Sequence, residues 1–140
     1  MSGPLQCLLD TNVLSETRRK QADPRVISFL AAAEPSPLYL SVLTLGELRK
    51  GVVLKKRSDP DGAKRIASWV DGLELSFADR ILGIDAATAK LWGELSAQRS
   101  RPVIDTLLAA TAVVHGLTLV THNTADVEDT KAKLLNPWKR

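Results

Sequence analysis

The sequence predicts an α/β fold with a mostly parallel sheet, and three observations predict it. Short apolar runs bounded by turn residues alternate with longer segments of helical character. The 140 residues suit one domain, residues 1–140, with no internal repeat or low-complexity tract to divide them. With 44% apolar and 25% charged residues, a chain of this size buries enough surface to fold without disulfides or a structural metal.

Leu5 to Leu9 is a nearly continuous apolar run and reads as a buried strand. Within it Cys7, the only cysteine, has no disulfide partner in the chain and reads as a small core residue. Asp10-Thr11-Asn12 breaks the run and offers helix-capping side chains. Pro24 to Ala33 reads as a helix, with Asp23 as N-cap and Pro24 at the first helical position, where its missing N–H costs nothing. Leu38 to Ser41 is a second strand. Val42 to Lys56 is a helix with an apolar stripe at Leu45, Leu48 and Val52. Ala63 to Leu75 is another helix, Ile81 to Ile84 a third strand, and Ala86 to Arg99 a helix carrying Trp92. Pro102 to His115 is a helix ended by Gly116. Leu117 to Val120 is a fourth strand, and Leu134-Leu135 a short last one. Gln21 to Pro24, Glu34 to Pro37 and Ser58 to Gly62 read as short linkers. Trp69 and Trp92 are expected in the core, and Trp138 is a core or interface anchor.

Composition narrows the function classes. No basic leader followed by an apolar stretch opens the chain, and no run approaches the about 20 residues that span a bilayer. A cytoplasmic protein without membrane contact is expected. The net charge of +3 comes with basic clusters at Arg18-Arg19-Lys20, Lys55-Lys56-Arg57 and Lys139-Arg140, which are compatible with nucleic acid but do not require it. His115 and His122 are the only histidines, so no His/Cys cluster for zinc exists, and His115 reads as a helix C-terminal residue.

In open parallel sheets, ligands sit beyond the carboxyl ends of the strands. Asp10 lies just past the first strand, and Thr121, His122, Asn123 and Asp126 lie just past the fourth. From Val103 to Val114 every residue except Asp105 is apolar, small or a threonine. A helix of that kind is expected to be buried, with its one carboxylate either favoured by the helix N-terminus or presented to a metal. Glu47 falls about 160° from Leu45 around its helix, away from the apolar stripe. It is either an exposed partner of Lys50 or a member of the same acidic group. Converging carboxylates repel one another and need a counter-charge. For Asp10, Glu47, Asp105 and Asp126 together, a hard dication such as Mg²⁺ or Mn²⁺ is the natural partner.

Four motifs in order then resemble a known family. Leu8-Leu9-Asp10-Thr11-Asn12-Val13-Leu14-Ser15-Glu16 is similar to the opening motif of PIN domains, and Leu45-Gly46-Glu47-Leu48-Arg49-Lys50-Gly51 to their second. The segment from Pro102 to Ala112, with Asp105, resembles the third, and Leu119 to Asp126 the fourth. The resemblance runs through Leu134-Leu135-Asn136-Pro137-Trp138 and is closest to VapC- and FitB-like bacterial toxins. It implies a three-layer α/β/α sandwich. It implies that Asp10, Glu47, Asp105 and Asp126 form the catalytic acidic metal site, with Thr11, Asn12, Thr121 and Asn123 as supporting polar residues. Two positions depart from the pattern: Val127 stands where the family often has Phe, and His122 where many members have Arg or Lys. Both bear on substrate or antitoxin contacts.

The resemblance further implies a metal-dependent endoribonuclease that leaves 5′-phosphate and 3′-hydroxyl ends on tRNA or rRNA. It implies a cognate VapB-like antitoxin and a homodimer. Arg18, Arg19, Arg49 and Lys50 are candidates to hold the RNA backbone, because they lie near the motifs. The alternatives are a non-catalytic PIN-like module that binds RNA or protein, a strand-end aspartate phosphatase or receiver domain, and a flap-type DNA nuclease. Four intact acids count against the first. Asn12 stands where a haloacid-dehalogenase-type phosphatase would want a second Asp, and the chain is short for the last.

Overall fold

The computed structural model describes residues 5–33 and 37–139. Its strands are β1 (Cys7–Leu9), β2 (Leu38–Ser41), β3 (Ile81–Leu82), β4 (Thr118–Val120) and β5 (Lys133–Leu135). The helices are α1 (Thr11–Glu16), α2 (Pro24–Ala32), α3 (Val42–Lys56), α4 (Pro60–Ser76), α5 (Ala86–Gln98) and α6 (Val103–His115), with a 3₁₀ turn at Thr124–Asp126. The sheet order is β3-β2-β1-β4-β5, and every pairing is parallel.

Side chains alternate across β1, as a pleated strand requires. Leu8 faces one layer, packing with Leu108, Ala109 and Ala112 of α6 and with Leu119. Cys7 and Leu9 face the other, with Val13 and Leu14 of α1, Val26 of α2, Leu48 of α3 and Val70 of α4. A parallel sheet covered on both faces is the three-layer sandwich, and it explains why the strands read as continuous apolar runs. Cys7 is a buried free thiol whose pKa burial pushes up.

From β1 the chain steps outward to β2 and β3, then returns to the other side of β1 as β4. The order reverses there, and in open parallel sheets that switch point, beyond the carboxyl ends of β1 and β4, is where ligands bind. Asp10 and Thr121 are the residues that follow those two ends.

The caps read from the sequence hold. The Asp23 carboxylate accepts from Arg25 N at 2.8 Å with Pro24 in the first turn, and Gly116 closes α6 at φ +67°. Four readings change. Thr11–Glu16 forms a short helix capped by Asp10, where only capping side chains were expected. Ser58 to Gly62 is not a linker throughout, because Pro60–Gly62 is the first turn of α4, with the Asp59 carboxylate accepting from Gly62 N at 3.0 Å. This is the same Asp-Pro device that starts α2. The third strand has only two residues, Ile81 and Leu82. Helix α6 is buried on one face rather than all round: Leu108, Ala109 and Ala110 are fully enclosed, whereas Val103 is 57% exposed and Val113 and Val114 lie at the surface. Apolar exposure of that extent is ordinary, since there is too little polar surface to cover a domain. The expected linker at Glu34 to Pro37 lies mostly outside the described residues, and Gln21 to Pro24 ends inside α2.

No helix among the described residues is long and apolar enough to cross a membrane.

Candidate metal centre at the sheet switch point

Asp10 is 5% exposed and bonded through both oxygens. Oδ1 accepts the Thr11 backbone N–H at 2.6 Å, which starts α1. Oδ2 accepts the Thr121 hydroxyl at 2.7 Å, across 111 residues of sequence. Adjacent parallel strands β1 and β4 make that contact, with Leu9 in register with Val120. The Thr121 hydroxyl also accepts Asn123 N at 3.0 Å, and Asn12 Nδ2 lies 3.4 Å from both Asp10 Oδ2 and Thr121 Oγ1. Asn12 Oδ1 accepts the His122 N–H at 3.3 Å. The four supporting polar residues therefore lie together: Asn12 and Thr121 reach the Asp10 carboxylate, and the Asn123 backbone joins them through the Thr121 hydroxyl.

The fourth, Thr11, reaches α3. Its hydroxyl donates to Glu47 Oε1 at 2.6 Å. The Lys50 pairing considered for Glu47 does not form among the described residues. The stripe of Leu45, Leu48 and Val52 packs on the core, which leaves Glu47 exposed and facing α1.

Asp105 enters from the first turn of α6 and Asp126 from the 3₁₀ turn after β4. Neither carboxylate has a hydrogen bond or ion pair with a described residue, yet Asp105 lies within reach of the charges of the other three acids. Burial pushes the Asp105 carboxyl up to about 6, and the charges of Asp10, Asp126 and Glu47 push in the same direction. Burial also raises Asp10; its bonds from Thr121 and Thr11 oppose the rise, and Glu47 adds to it. None of the four forms an ion pair with a described lysine, arginine or histidine. A like-charged, all-oxygen cluster without a basic partner is a donor set suited to a hard dication. Among the described residues no three acidic, histidine or cysteine side chains close into a ready-made cage.

The proposed backbone-holding cations are mostly engaged. Arg49 Nη2 bonds Asp71 at 2.6 Å and Glu74 at 2.9 Å on α4. Arg19 pairs with the buried Glu16, and Arg18 lies over the Trp69 ring at 5.4 Å. Lys50 is exposed on α3 without an ion-pair partner among the described residues. Trp69 and Trp138 pack against the larger core cluster, as expected of core anchors, and Trp92 is half-buried on α5.

Sequence reading missed two features beside the site. His122 stacks on Trp138 with ring centroids 4.4 Å apart. Asp129 is gripped by two arginines, Arg99 and Arg101. Glu16, within the first motif, carries a structural bond: its Oε2 accepts Asp23 N at 2.8 Å and ties α1 to the start of α2. Its place amid polar residues hid its burial. The ring and arginine contacts join residues far apart in sequence and leave no local signal.

Comparison with known proteins bears on the family and the fold. The PIN domain family matches residues 7–132. The chain is 34% identical to VapC ribonuclease Y4jK of Sinorhizobium fredii, covering 94% of this chain and 97% of that protein. It is 33% identical to Toxin FitB of Neisseria gonorrhoeae, again over 94% of this chain and 97% of the relative. The crystal structure of FitAcB from Neisseria gonorrhoeae superposes with a TM-score of 0.89 at 30% identity, covering 96% of this chain and all of that one. By sequence and by fold, the chain belongs to the PIN-domain family, in its VapC- and FitB-like branch.

Proposed function

We propose that the chain is a metal-dependent endoribonuclease and the toxin of a toxin–antitoxin pair. The observation that carries this reading is the placement of Asp10, Glu47, Asp105 and Asp126 around the β1/β4 switch point, with Asp105 under the charge of the other three and none of the four in an ion pair with a described residue. Relatives named as a VapC ribonuclease and as toxin FitB support it.

Asp10, Glu47 and Asp105 would hold Mg²⁺ or Mn²⁺, partly through water, and Asp126 would complete the site. Bound there, the cation would polarise a phosphoryl oxygen and lower the pKa of a water for in-line attack. The chain's own residues do the rest. Thr11 and Thr121 fix the rotamers of Glu47 and Asp10, so the ligands are ordered before a cation arrives. Asn12 ties the two loops together through Asp10, Thr121 and the His122 N–H, and Asn123, joined to Thr121 through its backbone, would present its amide to water or phosphate. Burial first, and then the charges of its neighbours, raise the Asp105 carboxyl to about 6, so a cation bound there would favour its ionised form.

The substrate is RNA, with tRNA or rRNA the expected class. A cognate VapB-like antitoxin would hold the enzyme inactive, and the active form would be a homodimer. Two histidines, one of them on the far end of α6, do not make the acid–base pair of a 2′-hydroxyl mechanism. The test is end-group analysis of RNA cut by the purified chain with Mg²⁺ or Mn²⁺. Products with 5′-phosphate ends support the reading, and 2′,3′-cyclic phosphate ends overturn it.

A further inference from the structure

Two of the four acids are fixed by threonines, but Asp105 and Asp126 have no polar partner of their own among the described residues. Core packing of Val127 against Leu108 and Ala109 ties the 3₁₀ turn to α6, but no side-chain bond fixes these two carboxylates among the described residues. Three residues past Asp126, Asp129 receives two bonds from Arg99, from Nε at 2.9 Å and Nη2 at 3.1 Å, and one from Arg101 Nη1 at 2.6 Å. Arg101 stands four residues before Asp105, and its side chain is 1% exposed. Its remaining donors reach Leu95 O at 2.9 Å and Gln98 Oε1 at 3.1 Å, so the guanidinium is fixed to the end of α5.

We infer that Asp129, clasped by Arg99 and Arg101, is a positioning residue that holds Asp126 opposite Asp105. The inference rests on the proposed metal site. The clamp joins the segment entering α6 to the loop carrying Asp126, at the point where the two acid-bearing segments come together. It also neutralises Arg99, whose charge already senses Asp126. Without Asp129, Arg99 is free to turn toward Asp126 and compete with a cation there.

Bidentate arginine–carboxylate geometry is specific as well as strong. Val127, buried with Leu108 and Ala109, anchors the same loop through the core, so the fold is expected to survive loss of the clamp. A purely structural clamp and a positioning clamp therefore differ in what they change.

The experiment compares Asp129→Asn, Asp129→Glu and Arg99→Gln with wild type, as purified full chain free of antitoxin. Arg99→Gln breaks only the exposed half of the clamp and guards against loss of folding. Mn²⁺ affinity is measured by titration of the protein alone, and RNA cleavage is measured for kcat and KM separately. The inference expects Asp129→Asn to weaken Mn²⁺ binding about fivefold or more and to lower kcat with KM unchanged or lower, because the surface becomes more positive. It expects Asp129→Glu to restore much of both, and Arg99→Gln to show a smaller loss. A lower melting temperature with wild-type Mn²⁺ affinity and kcat would overturn it. Asp10→Asn, run alongside, separates the two levels. If Asp10→Asn loses Mn²⁺ and Asp129→Asn does not, only the clamp fails; if Asp10→Asn also behaves as wild type, the site reading fails with it.

Discussion

The Thr121 hydroxyl donates to Asp10 Oδ2 at 2.7 Å while accepting Asn123 N at 3.0 Å, so one buried hydroxyl orients a carboxylate and shapes the loop after β4. Replacing it by the isosteric valine removes the donor and leaves buried polar groups unpaired. Thr121→Val should cost about 1–3 kcal/mol in denaturant unfolding. RNA cleavage should fall by about 10–100-fold, the usual effect of losing a group that orients a metal ligand. A variant that loses stability without losing rate would detach Thr121 from the site.

Asp105 predicts a pH dependence with a definite sign. Its carboxyl rises from an ordinary 3.8 to about 6 in the folded chain, so the folded state holds that proton more tightly than the unfolded state. The resulting penalty is fully present above about pH 6 and is relieved as pH falls towards 4. Asp105→Asn removes it. In EDTA at pH 7 the variant should be more stable than wild type by about 1–2 kcal/mol, after screening by solvent at a partly buried group. The difference should shrink towards zero near pH 4. Thermal melts at the two pH values check this, and a difference independent of pH would contradict it.

Gly116 ends α6 in a left-handed conformation at φ +67° that an L side chain adopts at a cost. Gly116→Ala should destabilise the chain by about 1–2 kcal/mol without altering the rate per folded molecule. A melt and an activity assay on the same sample separate the two effects.

The basic residues predict unequal salt responses. Lys50 has no ion-pair partner among the described residues, whereas Arg49 is held by Asp71 and Glu74. Lys50→Gln should flatten the salt slope of RNA binding by about one unit, as loss of one phosphate contact does. Arg49→Gln should leave the slope unchanged and instead loosen α3 against α4. Equal slopes for Lys50→Gln and wild type would remove Lys50 from the RNA surface.

How much of this was legible follows from how local each signal is. The strand ends at Asp10 and Thr121, the carboxylate at Asp105 and the cap pairs Asp23-Pro24 and His115-Gly116 all lie within a few residues of the pattern that reveals them. Helix α1 was not legible, because six residues carry too little periodicity. The start of α4 was missed although Asp59-Pro60 repeats the Asp23-Pro24 device, because the flanking Ser58 and Gly62 read as loop. The full burial expected of α6 failed because composition does not say which face meets solvent. Arg99, Arg101 and Asp129 come together only through the α5–α6 corner and the loop after β4. No spacing along the chain announces such a contact.

The most direct test of the central claim is the rate of RNA cleavage by the purified chain in Mn²⁺, set against EDTA and against Asp10→Asn in the same Mn²⁺. The account predicts cleavage by wild type that is lost in EDTA and lost in Asp10→Asn while the variant stays folded. Cleavage that survives either change would contradict a catalytic metal site built on Asp10.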